Sequence, residues 1–218
     1  DVFRAVRRVL RPDGTLWLNY GDAYQDKQLL GLPWRLAFAL QADGWWLRSD
    51  IIWHKPNPMP SSVTDRPTSS HEYMFLLSPS QKYFYDADAV REKAVSIHGS
   101  GNGYKRSCRI SIAGRGSDEP YTPQEHRNLR DVWTIPTQPL SAAHFATFPP
   151  KLVEPCIKAG SRPGDKVLDP FGGAGTVGLV ADRLGRDSTL LELNPEYAEL
   201  ARKRLIDDAP LLCEVKIL

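Results

Sequence analysis

The sequence predicts an α/β protein built on a doubly wound sheet, with one irregular insert. Three observations carry that expectation. Strand and helix signals alternate through the C-terminal third; a glycine-rich turn joins an apolar strand to a helix near residue 170; and periodicity fails only over residues 91–130. With 218 residues and 41% hydrophobic content, the chain can bury a sizeable core.

The chain opens on an amphipathic helix over Asp1–Leu10, with Val2, Phe3, Val6, Val9 and Leu10 at helical spacing. Arg11-Pro12-Asp13-Gly14 is a turn, and Thr15–Tyr20 reads as a buried strand ending at Gly21-Asp22. A helix over Pro33–Ala42 stops at Asp43-Gly44. Trp46–Trp53 and Glu72–Leu77 read as strands separated by a proline-rich loop, and the second turns at Ser78-Pro79-Ser80 into Lys82–Tyr85. After the insert come a helix (Pro149–Gly160), a short strand (Lys166–Leu168), a helix (Thr176–Leu184), a strand (Ser188–Leu193) and a last helix (Pro195–Leu205).

The net charge of +2 is small, but its distribution is uneven. Residues 91–130 hold eight basic and four acidic side chains together with five glycines, so a weakly basic insert sits on a slightly acidic body. Such an insert suits contact with phosphates, or is simply a solvated loop. Cys108, Cys156 and Cys213 lie far apart, which suggests neither a disulfide framework nor a zinc site, and no metal is expected. No apolar run approaches the roughly 20 residues of a membrane span, and the expectation is a cytoplasmic protein.

The sharpest local signal is Val167-Leu168-Asp169-Pro170-Phe171-Gly172-Gly173-Ala174-Gly175-Thr176. Glycines there allow close backbone approach to a ligand, and the following helix presents free N–H groups. Glu192 follows Asp169 by 23 positions, where an acid can accept hydrogen bonds from ribose hydroxyls. Together they indicate an adenosine-type cofactor. A tight turn with no ligand remains the plain alternative. Gly173-Ala174-Gly175-Thr176-Val177-Gly178 formally matches a dinucleotide fingerprint. Asp169, however, would repel a pyrophosphate and suits the cationic methionine end of S-adenosylmethionine.

These residues resemble the DNA amino-methyltransferases that act on adenine N6 or cytosine N4, in the permuted order that places the catalytic region before the cofactor motif. Asp169–Thr176 resembles the cofactor motif, Leu191–Tyr197 the ribose-binding segment, and His144–Pro149 with Lys151-Leu152 the segment lining the cofactor site. Gly14–Asp22 resembles the strand after the catalytic motif. Asp50–Asn57 and Pro60–Arg66 resemble the strand and loop near the flipped base. The resemblance implies a Rossmann-like methyltransferase sheet with a target-recognition insert, divided as residues 1–90, 91–130 and 131–218. It also implies S-adenosylmethionine as cofactor, double-stranded DNA as partner, a bacterial or phage source, and a homodimer as an open expectation.

On this reading Asp169, Pro170, Phe171, Gly173, Gly175, Thr176, Glu192, Leu193, Phe148 and Pro149 hold the cofactor. Trp53, Lys55, Asn57, Ser61, Asp65, Arg66, Lys105, Arg106, Arg109 and Arg115 face DNA or the base, with Trp53 expected to stack or line the base pocket.

A flipped base amine is a poor nucleophile because its lone pair is delocalised into the ring. In the family an Asp/Asn/Ser-Pro-Pro-Tyr/Phe tetrapeptide accepts its hydrogens. No such tetrapeptide occurs here. The one Pro-Pro, Pro149-Pro150, belongs to the cofactor side, and the catalytic motif is expected upstream of the Asp1–Leu10 helix. Pro155-Cys156 reads as a helical core position rather than a nucleophile. An inactive DNA-binding homologue and a nicotinamide dehydrogenase are the other readings, and cytosine N4 is favoured slightly over adenine N6.

Overall fold

The computed structural model describes residues 1–94, 125–138, 148–209 and 215–216. In chain order these form α1 (Val2–Val9), β1 (Leu16–Tyr20), β2 (Tyr24–Gln25), β3 (Gln28–Leu29), α2 (Leu32–Ala42), β4 (Trp46–His54) and β5 (His71–Ser78). There follow β6 (Glu92–Lys93), β7 (His126–Arg127), β8 (Val132–Thr134), α3 (Pro150–Gly160), β9 (Lys166–Asp169), α4 (Thr176–Arg183), β10 (Asp187–Leu190) and α5 (Pro195–Asp208).

The larger sheet has the order β1-β5-β4-β8. β5 is antiparallel to both neighbours, and β8 adds parallel to β4. Side chains alternate across it with period two. Leu18 opposite Phe75 faces α1 and α2, where Val6, Ala37, Leu40 and Trp45 close one core cluster. Trp17 opposite Leu76 faces the other side, where Met74, Trp53, Trp133, Leu152 and Cys156 form a second.

β9 and β10 form a separate parallel pair connected through α4. α3 joins the two sheets by carrying two apolar stripes at i, i+4 spacing. Leu152 and Cys156 enter the second cluster, whereas Val153 and Ile157 pack with Leu179, Val180, Ala181 and Leu205 in a third. Helices therefore cover both faces, as a doubly wound α/β fold requires.

β1 and β9 run in the same direction. Arg11, just before β1, lies 3.9 Å from Asp165, just before β9. Phe3 lies in the first turn of α1, which runs back along β1. It meets Phe171, just past β9, with ring centroids 6.4 Å apart. Among the described residues β1 pairs only with β5 and β9 only with β10, so each leaves one edge unpaired. Leu168 in β9 is 36% exposed.

Three local expectations are corrected. Lys82–Tyr85 is not a strand: the Phe84 N–H donates to the Asp13 carbonyl (2.7 Å), and the adjacent Asp86 N–H donates to the Ala159 carbonyl (2.9 Å). β10 stops at Leu190, so Glu192 lies in the loop beyond it. The insert is not wholly irregular, because β6 and β7 pair at its base.

The core assignment yields a contrast in cost. Leu152→Ala should destabilise the protein by about 2–5 kcal/mol, because a fully buried side chain leaves a cavity in the second cluster. Leu168→Ala should cost under about 1.5 kcal/mol, because only a half-buried side chain is truncated. Equilibrium urea unfolding of both variants checks the order.

Candidate functional site

The ends of β1 and β4 adjoin the start of β5, and just past the end of β9 Phe171 meets Phe3 of α1; polar residues gather at both places. At the β9 end the chain must turn sharply into α4. Gly173 and Gly175 adopt φ of +49° and +76°, a region that L side chains rarely enter. A β-carbon on Gly175 would also come within 2.9 Å of the Ala201 Cβ on α5. Glycine is thus required at 175 by both conformation and space.

The two acids brace this turn. The Asp169 Oδ1 accepts from the Phe171 N–H (3.0 Å). Glu192 uses both oxygens, accepting from the Gly173 N–H at 2.7 Å and from the Asn194 N–H at 2.8 Å. Burial raises the Asp169 carboxyl above its ordinary value; the Phe171 amide opposes that, and the Glu192 charge adds to it. No basic side chain forms an ion pair with either acid among the described residues. Around them Phe171 is 63% exposed, and Leu191 and Leu193 are open to solvent. Two neighbouring carboxylates ringed by exposed apolar surface suit a ligand with a cationic end and a flat apolar part.

Arg204, which the sequence did not single out, completes the turn from behind. Its Nη1 donates to the Ala174 carbonyl and to the Thr176 hydroxyl, each at 3.0 Å. Phe148 packs against both the second and third clusters, and Pro149, fully buried, is the N-cap of α3. Pro149-Pro150 is therefore a helix start.

At the ends of β4 and β1, Glu72 gathers a small polar network. It pairs with Lys55 and accepts from the Asn19 side-chain amide at 3.1 Å. The Lys55 ammonium lies 4.4 Å from the Trp53 ring centroid. Trp53 itself is 3% exposed, and its indole N–H donates to the Ile135 carbonyl. The expectation that Trp53 stacks on a base is corrected: its ring is core, since a strand-end position does not reveal which face the sheet buries.

The neighbouring loop is held at several points. Asn57 clasps Thr137, accepting from its N–H (2.9 Å) and donating to its carbonyl (3.2 Å). The Ser61 hydroxyl accepts from the Val63 N–H. The unexpected β2–β3 hairpin docks on the same loop through Lys27–Asp65 (3.1 Å) and through Arg66, 3.8 Å from the Tyr24 ring centroid. Lys105, Arg106, Arg109 and Arg115 lie outside the described residues, as do His144–Thr147. Arg127 and Arg130, counted in the basic excess, both pair with Glu92. Cys156 is buried core, and burial pushes its thiol far up, away from nucleophilic use.

The chain matches the DNA methylase family of the N6/N4 type over residues 1–203. It is 46% identical to the type II methyltransferase M.XycI of Xanthomonas campestris pv. cyanopsidis, over 94% of this chain and 69% of that protein. It is 45% identical to M.SmaI of Serratia marcescens, over 94% and 72%. Among solved structures it resembles the cytosine-N4-specific PvuII DNA methyltransferase, with a TM-score of 0.72 and 23% identity over 95% of this chain and 69% of that one. It also resembles the Thermus thermophilus protein TTHA0409 complexed with S-adenosyl-L-methionine, with a TM-score of 0.64 and 26% identity over 96% and 76%. The chain belongs to the N6/N4 DNA methylase family. It is an S-adenosylmethionine-dependent DNA methyltransferase, which removes the dehydrogenase reading.

The raised Asp169 value gives a stability test. The ionised carboxylate is penalised in the fold, so its cost is absent below the unfolded value and complete once pH exceeds the folded one. Asp169→Asn should therefore raise the melting temperature of the ligand-free protein at neutral pH. The gain should vanish on acidification below the ordinary carboxylate range. Scanning calorimetry across pH measures both.

Proposed function

We propose that the protein transfers the methyl group of S-adenosylmethionine to an exocyclic amine of a flipped base in double-stranded DNA, with cytosine N4 favoured over adenine N6. The observation that carries the cofactor site is the juxtaposition of Asp169 and Glu192 at the glycine turn, with no basic ion-pair partner among the described residues. On this reading Asp169 faces the cationic methionine end, and the spare lone pairs of Glu192 accept from the ribose. Phe171 and Leu193 flank the adenine, while Pro170, Gly173, Gly175 and Thr176 shape the backbone around it. Phe148 and Pro149 close the pocket from the α3 side. Bound S-adenosylmethionine supplies an electrophilic sulfonium methyl, and the chain's own contribution is placement and electrostatics.

The base is assigned to the edge where β1, β4 and β5 meet. Lys55, Asn57, Ser61, Asp65 and Arg66 line the DNA side, with Lys105, Arg106, Arg109 and Arg115 contacting phosphates from the insert. The preference for cytosine N4 is supported by the specificity named for the PvuII enzyme. The amine-orienting tetrapeptide is assigned to a strand seated between the unpaired edges of β1 and β9. That strand would complete the sheet and bring acceptor groups beside Asp169.

Three measurements test the reading. Glu192→Ala should weaken S-adenosylmethionine binding by about 1–3 kcal/mol in calorimetry, the scale of a lost charged hydrogen bond. Wild-type affinity should fall as pH drops through the raised Asp169 value, because a cationic ligand favours the ionised acid. An unchanged Glu192→Ala affinity would overturn the assignment. Mass spectrometry of nucleosides from DNA methylated by the protein, extended upstream to include the tetrapeptide, should give N4-methylcytosine; N6-methyladenine would overturn the base preference.

A further inference from the structure

We infer that Arg204 is a positioning residue for the cofactor turn, setting S-adenosylmethionine affinity from the side of the loop opposite the ligand. The inference rests on the cofactor reading above.

Arg204 is partly buried, and its guanidinium donates to two groups of the turn on either side of Gly175, the Ala174 carbonyl and the Thr176 hydroxyl. Burial lowers its pKa and the neighbouring Arg183 lowers it further, with Asp208 opposing. Asp208 itself is engaged by Arg183. A desolvated guanidinium beside the N-terminus of α4 meets the positive end of the helix dipole, so neither burial nor the dipole favours it there. Its compensation is the pair of bonds to the turn. These replace the hydration of Arg204 and satisfy Ala174 and Thr176, the latter almost fully buried.

The position of Arg204 makes those bonds consequential. Ala201, one turn earlier on the same face of α5, sits against Gly175. Ala201 and Arg204 therefore grip residues 174, 175 and 176 from behind. Glu192 grips Gly173 from in front, and it is tied to the start of α5 through Asn194, whose side chain caps the helix at Glu196. The rear jaw is thus on α5, and the front jaw is anchored to the start of the same helix through Asn194. Loosening the rear jaw lets the turn relax, so its amides and Asp169 no longer hold the geometry a ligand needs.

Arg204→Met and Arg204→Lys, made in the protein extended upstream to include the tetrapeptide, test this, with calorimetric S-adenosylmethionine affinity, KM and kcat, DNA affinity by anisotropy, and amide exchange over residues 172–177. Arg204→Met should weaken cofactor binding on the order of tenfold, the scale of a lost charged hydrogen bond. KM for the cofactor should rise, with kcat recovered at saturation and DNA affinity unchanged. Exchange at 172–177 should quicken even without ligand. Arg204→Lys should recover part of the affinity through one of the two bonds, and it carries the test if the Met variant does not fold. Wild-type affinity in a folded Arg204→Met, or in a folded Arg204→Lys where the Met variant fails, would overturn the inference. So would a loss of kcat with KM unchanged. A wild-type protein that does not bind S-adenosylmethionine would overturn the cofactor reading instead, and this inference with it.

Discussion

Between Asp169 and Thr176 the chain must leave a half-buried strand, reverse through two left-handed glycine conformations and enter a helix whose first amides stay unpaired. It does this with α5 pressed against the back of the turn. The β-carbon-free space at Gly175 lets α5 come that close. From that contact follow the placement of Arg204 behind the loop, the start of α5 at Pro195, and the route of the Leu191–Asn194 segment past Gly172 and Gly173. A side chain at 175 would push α5 outward and carry Glu192 away from Gly173. The geometry of Glu192 therefore depends on a single missing methyl group.

The same turn sorts charge. Carboxylates lie on its open side and a guanidinium behind it, so the field across the loop points one way. Asp169 is held in a half-buried position that works against its ionisation, with Glu192 adding repulsion. Such an arrangement is uncomfortable when empty and is relieved by a cation. A pyrophosphate would meet the same two acids and be repelled. This is the physical distinction between the two cofactor classes that share a glycine-rich strand-to-helix turn.

Much of this was legible in the sequence because hydrophobic periodicity reports burial. α1, α2, β1, β4, β5 and the elements from α3 to α5 fall close to where apolar spacing puts them. What escaped the sequence has specific causes. The β2–β3 hairpin turns through Asp26 and Lys27 at φ of +50° and +67°, without the glycine that usually marks such a turn. Lys82–Tyr85 has strand-like residues, but the nearest acceptors for Phe84 and for the following Asp86 belong to the β1 approach and the α3 end. The sequence position of Trp53 fixes its strand and not the depth of its ring. Arg204 is one charge among many on α5, and only the fold shows that its face meets the turn.

The two sheets are held in relation by α3 rather than by strand pairing. Its Leu152/Cys156 stripe belongs to the β1-β5-β4-β8 sheet and its Val153/Ile157 stripe to the β9-β10 pair. Because the stripes are adjacent on one rigid helix, the spacing between the Asn19–Glu72–Lys55 network and the Asp169–Glu192 pair is set by side-chain packing deep in the core. On the proposed reading, which puts the methyl donor at one group and the base at the other, the two must be aligned to within a fraction of an ångström for transfer. α3 thereby governs the distance between the two groups, and the edges of β1 and β9 left unpaired among the described residues lie across that same interval.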